Sequence, residues 1–477
     1  MVCLFLSLHF CHAQDWAFDE RLTQTHQMVL NLQIEEALQT LQNPKSVQEV
    51  YLMGLAESLE LLITENAEKF QDYEDQFEAR IESKWKGSAP DHLFVQAELR
   101  LQWAFVYLKF GHEFDAALNI KHAYEIAEEC KKKYPKYQAI KKTSGLLQII
   151  IGSVPEKYDW VLGLLGIEGS VQTGLTELES LRTSQSQLSF ETNLLYALVQ
   201  GFILQETNSA AQELKKIQEQ YPSNKIALFL GAALAIKNSQ SEDALVMLIK
   251  LGLMEQGLRI YYADYLRGEI YLQKADYLNS LSAYRWFIDH YDGKNYIKDA
   301  YYKIGLCYWL NGNVNDADVL FKEAKSQGLE ETEADKHAAK SLADNELPHI
   351  KLSKARYFTD GGYYEQAAAQ LDAITPLELP TQRDKVEFYY RKARLMHKRN
   401  DIAAAKISYQ QTIDVSADAS WYYAPNSCLQ MGYIALGEND TEKAKQFFNR
   451  ALEYKKHEYK NSIDSKAKSA LAQLKRR

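Results

Sequence analysis

Three patterns in this sequence of 477 residues place side chains where chemistry is conceivable. The first is the acid–histidine pair at helical spacing: His122 with Glu125, Glu333 with His337, and Glu346 with His349. A carboxylate and an imidazole three or four residues apart share a helix face and can hold a metal or relay a proton. Each pair stands alone, and Pro348 interrupts the last, so the expectation is solvated helix faces and no metal. The second is a run of glycines, Gly163, Gly166, Gly169 and Gly174, whose spacing differs from that of a phosphate-cradling loop and which no strand precedes. Gly-x-Ser-x-Gly, His-Glu-x-x-His and Walker sequences are absent, so the expectation is a protein that is no enzyme and carries no cofactor.

The third pattern is tyrosine, present 31 times and clustered as Tyr261, Tyr262 and Tyr265; Tyr301 and Tyr302; Tyr363 and Tyr364; Tyr389 and Tyr390; and Tyr422 and Tyr423. If each doublet lies on a helix pair, one ring faces the core and the other a groove, where exposed rings suit peptide or sugar recognition. Tyr262, Tyr265, Tyr301, Tyr302, Tyr389 and Tyr390 are accordingly the candidate partner-binding residues. Core packing is the competing role.

The elements that must position these rings are helical. With 9 prolines, 22 glycines and few β-branched runs, long helices are easier to build here than sheets. Hydrophobic residues at 46% and charged residues at 25% match an ordinary folded chain. One five-residue spacing, with steps of 3, 9, 4 and 3, recurs along the sequence. It gives Gly305, Tyr308, Ala317, Phe321, Ala324; Gly432, Ala435, Ala444, Phe448, Ala451; Gly268, Tyr271, Ser280, Tyr284, Phe287; and Ala104, Tyr107, Ala116, Ile120, Ala123. Weaker copies are Ala355, Phe358, Ala367, Leu371, Ile374; Ala393, Met396, Ala405, Tyr409, Thr412; and Ala232, Ala235, Ala244, Leu248, Leu251. Steps of 3 and 4 keep residues on one helix face, and the step of 9 crosses a turn between two antiparallel helices. Small residues at the first and third positions let the helices approach, while the second and fourth fill the groove between them. Gly312 and Asn313, Gly361 and Gly362, Asn400, and Gly437 are the expected turn residues.

This pattern resembles the tetratricopeptide repeat family. The resemblance implies an all-α fold, a right-handed α-solenoid of antiparallel helix pairs. Starts at 232, 268, 305, 355, 393 and 432 give steps of 36, 37, 50, 38 and 39, mostly longer than the usual period of about 34. The step of 50 accommodates an extra helix over 333–347. Before 232 the expected helices are looser, at about 16–31, 35–42, 46–63, 65–85 and 91–133, followed by a unit ending with Ala210, Leu214, Ile217 and Pro222. The expected division is a segment 1–14, an irregular helical half 15–222 with an apolar glycine-rich insertion at 143–178, and a repeat array 223–477.

Residues 143–178 carry Pro155, Gly166, Gly169, Gly174 and Leu175, and there resemble the central motif of the inclusion-body-clearance (outer-membrane tetratricopeptide) family, with Ile167 and Glu168 in place of Phe and Ser. The family contributes no catalytic residues. Two roles are open: an apolar hairpin making a peripheral membrane contact through residues 146–167, or a buried plug, since Leu162, Leu164, Leu165 and Ile167 are costly to expose together. Residues 1–14, apolar and uncharged, are read as a signal peptide, although a leading Lys or Arg is missing. Export to the periplasm or outer membrane is therefore expected, with a cytoplasmic location as the alternative. Cys130, Cys307 and Cys428 read as small buried hydrophobes. Lys131, Lys132, Lys133, Lys136, Lys141 and Lys142 read as lysines closing a helix. A formal charge of -9 without a one-signed block argues against nucleic acid. The functional expectation is a protein–protein interaction scaffold of the cell envelope holding its partner in a concave groove, with a glycan- or lipid-binding protein as the alternative.

Overall fold

A computed structural model of the chain describes residues 16–154, 163, 166–344, 347–416 and 419–476. Its regular elements are helices, and pairing between extended segments is confined to an isolated bridge of Ser46 with Lys86. The N-terminal helices are α1 (Glu20–Leu30), α2 (Ile34–Thr40), α3 (Val47–Thr64), α4 (Ala67–Glu82), α5 (Ala89–Lys109), α6 (Glu113–Lys133), α7 (Ile140–Gly152) and α8 (Val171–Arg182). There follow α9 (Ser189–Leu198), α10 (Thr207–Gln220), α11 (Lys225–Lys237), α12 (Ser241–Gly252), α13 (Tyr262–Gln273), α14 (Tyr277–His290), α15 (Ile297–Leu310) and α16 (Val314–Ala324). The chain continues through α17 (Glu333–Asp344), α18 (Ile350–Gly361), α19 (Tyr364–Asp372), α20 (Gln382–Lys398), α21 (Ile402–Ser416), α22 (Tyr423–Gly437), α23 (Thr441–Glu453) and α24 (Lys460–Arg476). Two compact units result, one built from residues up to 238 with 243–264 and 290–294, the other from 239–242, 265–289 and everything from 295 onward.

The repeated spacing becomes geometry at each turn. The third position of every set, Ala116, Ala244, Ser280, Ala317, Ala367, Ala405 and Ala444, is 0% exposed. A Cβ on Gly305 would lie 2.6 Å from the Phe321 ring, one on Gly432 2.4 Å from Phe448, and one on Gly268 2.7 Å from Tyr284. The first position is small because the ring at the fourth fills the space a side chain would need. Four residues after the second position the backbone turns left-handed in all seven sets, at Gly111, Ser239, Ala275, Gly312, Gly362, Asn400 and Asn439. In six of them the next amide donates back to the second position's carbonyl at 2.8–2.9 Å, as His112 does to Tyr107 and Asn313 to Tyr308. This satisfies a carbonyl that the ending helix leaves open.

Two expectations need correction. The turn of the last set uses Asn439, not Gly437, which is the final residue of α22 with a right-handed backbone. The expected single helix over 91–133 is two, α5 and α6, because Gly111 at φ 81° closes the first. The extra helix expected after residue 333 is α17, and the segment with Ala210, Leu214 and Ile217 is the buried face of α10.

In the glycine-rich segment, residues 155–162, 164 and 165 lie outside the described residues, as does the expected signal segment 1–14. What is described packs α7 against α8 backbone to backbone. A Cβ on Gly174 would lie 2.4 Å from the Gly145 carbonyl oxygen, and one on Gly169 would lie 2.5 Å from the Gly152 amide. Leu146, Leu147, Ile149 and Ile151 of α7, and Ile167, are buried in the same core as Trp16, Tyr51 and Phe94. Among the described residues no helix is long and apolar enough to cross a membrane.

Because the nearest neighbour at Gly174 is the Gly145 carbonyl oxygen, which yields only by shifting backbone, Gly174→Ala is expected to lose roughly 1–3 kcal/mol of unfolding free energy. Gly437→Ala, with nothing within 4 Å, should be neutral or slightly stabilising in the same urea titration. Equal losses at the two positions would contradict the close-approach account.

Candidate functional site

Two clusters of charge stand out, one per unit. In the first unit Lys142, expected among lysines closing a helix, lies in the first turn of α7 and is 2% exposed. Its Nζ lies 2.7 Å from Glu98 Oε2 of α5 and donates to Glu191 Oε1 of α9 at 2.5 Å and to the Tyr51 hydroxyl of α3 at 2.7 Å. Tyr51 in turn donates to Glu191 Oε2 at 2.5 Å, His26 Nε2 of α1 lies 3.0 Å from that oxygen, and the Thr143 hydroxyl donates to Glu98. Burial alone would raise the Glu191 carboxyl, but Lys142 and His26 outweigh it and hold it down to about 2. Burial prevails at Glu98, which sits above the ordinary carboxylate range despite Lys142. Lys142 stays charged because its two carboxylates overcome its own desolvation. The cluster ties five helices together at one point. It exposes too little surface to meet a partner and acts as a structural ion network.

The second cluster is reachable from solvent. A chain of rings runs from His337 of α17 to Tyr459 at 6.1 Å between centroids, on to Tyr422 at 5.2 Å, and then to Tyr390 of α20 at 5.5 Å and Tyr423 of α22 at 4.5 Å. Guanidiniums flank it. Arg391 lies over the Tyr390 and Tyr423 rings at 5.4 and 5.7 Å and is held by Glu387 at 2.6 Å. Arg356 of α18 lies 5.5 Å over Tyr357 and 3.7 Å from Asp360, which Arg394 also approaches to 3.1 Å. Arg383 and Lys340 share Glu458 at 3.4 and 2.9 Å. Burial, reinforced by Arg356, Lys303, Lys340 and Arg383, pushes His337 down to about 3, so its imidazole is neutral at physiological pH. Burial with Arg394 and Lys398 likewise lowers His397.

The candidate tyrosines distribute unevenly over this geometry. Tyr390 is a fully buried rung of the ring chain, and its hydroxyl accepts from Asn426 at 2.7 Å. Tyr265 and Tyr302 are also buried; Tyr265 donates to Asp299 at 2.5 Å and accepts from Lys303 at 3.1 Å. Tyr301 and Tyr389 are half-buried neighbours of these rings, and Tyr262 is half-buried with its ring 6.2 Å from Phe229 in the first unit. Sequence reasoning passed over the arginines. The signal was present: Arg356 and Arg394 directly follow the first position of their sets, while Lys303 and Arg391 precede theirs by two. His337, expected on a solvated face, is half-buried against Tyr459, whereas His122 and Glu125 are exposed as expected. His349 caps α18 by accepting from the Leu352 amide, and Glu346 lies outside the described residues. Among the described residues no group of three or more His, Cys, Asp or Glu could hold a metal ion. Cys130, Cys307 and Cys428 are buried free thiols, with burial pushing Cys307 and Cys428 up to about 12.

An open cleft of about 660 Å³ lies between α18 and the segment after α19, lined by Trp309, Pro348, Ile350, Ile374 and Leu379. Trp309 Nε1 donates to the Pro348 carbonyl at 2.9 Å, fixing one wall.

The buried network sets two expectations. Lys142→Met strands two carboxylates and should cost roughly 3–5 kcal/mol, partly recovered when Glu191→Gln is added, as read from urea midpoints. Since Glu191 in the fold titrates near 2, below its ordinary 4.5, it stabilises the fold above about pH 4.5, and that contribution is lost as pH falls toward 2. Glu191→Gln should therefore flatten the loss of stability across that window, and an unchanged slope would contradict the assignment.

A tetratricopeptide repeat profile matches residues 425–458, which include α23 and most of α22. No curated protein matches the sequence. Among solved structures, the human IFIT1 dimer with m7Gppp-AAAA is similar at 13% identity and a TM-score of 0.34, over 92% of this chain and 95% of that one. The apo quorum sensor NprR from B. thuringiensis is similar at 15% identity and a TM-score of 0.34, over 76% and 97%. Yeast Tom70 is similar at 11% identity and a TM-score of 0.25, over 95% and 97%. The matched repeat, together with seven helix pairs of one internal geometry, supports a tetratricopeptide repeat protein with an all-α fold of antiparallel helix pairs.

Proposed function

We propose that this chain is a non-catalytic interaction scaffold of the cell envelope, and that a protein partner lies along the ring chain of its second unit. The observation that carries the reading is the ladder His337–Tyr459–Tyr422–Tyr390, most exposed at Tyr459 (43%), with the side chains of Arg356 and Arg383, 39% and 35% exposed, beside it. Aromatic and arginine side chains held rigid on packed helices are the residue types that dominate binding energy at protein interfaces. A repeat array presents such side chains in register on successive helices, because each pair repeats the placement of the one before.

Two features support the finer parts of the proposal. The uncharged, apolar residues 1–14 favour export to the periplasm or outer membrane. The backbone contacts of Gly145 with Gly174 and of Gly152 with Gly169 give a mechanical reason for the glycine motif that resembles the outer-membrane tetratricopeptide family.

Photo-crosslinking from Tyr459 in living cells, followed by purification and mass spectrometry, is expected to recover one protein in near-stoichiometric amount. Fractionation of the same cells should place the chain in the envelope. Recovery of no protein above background would refute the scaffold reading, and a cytosolic chain would refute the location.

A further inference from the structure

We infer that the solvent side of α23 and α24 is a second interaction surface, which lies against the anionic headgroups of a phospholipid bilayer. The inference goes beyond the ring chain and does not depend on a protein being held there.

Charge asymmetry carries it. Residues 441–477 hold 11 Lys and Arg against 4 Asp and Glu, a net charge of +7 in a chain whose formal charge is -9. Spread over the segment and broken by Glu442, Glu453, Glu458 and Asp464, the excess forms no run in the sequence. The fold commits three of these acids. Glu442 pairs with Lys445 at 2.8 Å, Asp464 pairs with Lys460, and Glu458 is taken by Lys340 of α17 and Arg383 of α20 at 2.9 and 3.4 Å. Glu453 is left exposed, and Asp440 caps α23 by accepting from the Lys443 amide. Lys443, Arg450, Lys455, Lys456, Lys466 and Lys468 are exposed, and among the described residues none of the six forms an ion pair. The neighbouring helix does not restore the balance. α22, which packs against both α23 and α24, has no charged residue, and Glu438 after it is paired with Lys406 at 2.8 Å.

Packing determines where these cations point. Ala444, Phe448 and Ala451 of α23 share one core with Ile463, Ala467 and Ala470 of α24, so the charged residues between them fall on the solvent half of each helix. Closing a helix end explains one of them: Lys455 donates to the Leu452 carbonyl at 3.3 Å. It does not explain Lys443 in the first turn of α23 or Lys466 and Lys468 within α24. The distribution favours a surface over a pocket. Lys443 and Arg450 are two turns apart on α23, about 10 Å, and the others follow at the corner and along α24, so they meet a field of phosphates more readily than a single one. Single-stranded nucleic acid is held by cations together with rings on which bases stack. Here Phe448 is fully buried, and Tyr454 and Phe447 are packed against neighbouring cores. Eight of the 11 cations are lysines, flexible point charges without the planar fork that reads bases. The remainder of the chain carries -16, so an anionic surface attracts this end and repels the rest, which orients the molecule.

The test is flotation of the full chain with vesicles of phosphatidylcholine alone or mixed with phosphatidylglycerol. Binding is expected to the mixed vesicles only, and to weaken as salt rises. The variant combining Lys455→Gln, Lys456→Gln, Lys466→Gln and Lys468→Gln should partition about tenfold or more weakly. A control combining Lys45→Gln, Lys84→Gln, Lys86→Gln and Lys215→Gln removes the same charge from exposed lysines of the first unit and should leave binding nearly unchanged, with thermal melts showing that both variants fold. Equal binding to neutral vesicles, indifference to salt, no binding to the mixed vesicles, or equal losses in the two variants would overturn the inference. So would release from the mixed vesicles by oligouridylate or by inorganic phosphate at equal phosphate concentration, the first making nucleic acid the ligand and the second a free anion. The partner crosslinked from Tyr459 is read separately, so the scaffold reading stands or falls on its own experiment.

Discussion

The contact on which the architecture depends is the one between a missing side chain and a ring. Where Gly305 faces Phe321, Gly432 faces Phe448 and Gly268 faces Tyr284, the aromatic carbons occupy the space in which a Cβ would stand. Two helices held this closely bury the ring, and the small third residue below it lets the second helix lie flat on the first. An antiparallel pair of this kind still exposes an apolar edge, and only another pair can cover it. Stacking is therefore a consequence of the pair's own packing, and the register of every later side chain, including the arginines beside the ring chain, follows from it.

That contact explains why so much of the array was legible in the sequence. Spacing of small and aromatic residues is a direct record of helix–helix packing, and the turns expected at Gly312, Gly362 and Asn400 are where the backbone becomes left-handed. The record fails where the backbone is indifferent to side-chain type. Ala275 and Ser239 close helices in the left-handed conformation although neither advertises it, because the packed pair on either side determines the turn, joined at Ala275 by the bond from the Asp276 amide to the Tyr271 carbonyl. Gly437 advertised a turn and does not make it, since Asn439 lies at the position where the geometry places the left-handed residue.

Lys142 shows the same limit for charge. In the sequence it belongs to a run of lysines; in the fold it points inward from α7, toward Glu98, Glu191 and Tyr51 from three other helices. Nothing local in the sequence distinguishes it from Lys141, which reaches Ser180 on an exposed face. One residue along the helix, a rotation of about 100°, separates solvent from core, and the partners that make burial tolerable are 44 to 91 residues away. Long-range pairing of this kind is invisible to periodicity. The same holds for His337, whose surroundings are contributed by α18, α20 and the segment before α24.

The two clusters differ in a way that bears on what each can do. At Lys142 one cation is enclosed by a tyrosine hydroxyl and two carboxylates, one of which also accepts from Thr143, every member below a tenth exposed, so the charges spend their interaction energy on each other and on fixing α3, α5, α7 and α9. Around Tyr459 the charges are shared more openly: Asp360 serves Arg356 and Arg394, Glu458 serves Lys340 and Arg383, and these four cations keep about a third or more of their side chains exposed. A surface of that kind keeps its shape without a ligand, because packing of the rings holds it. Rigidity lowers the entropy lost on association. The repeat supplies that rigidity by construction.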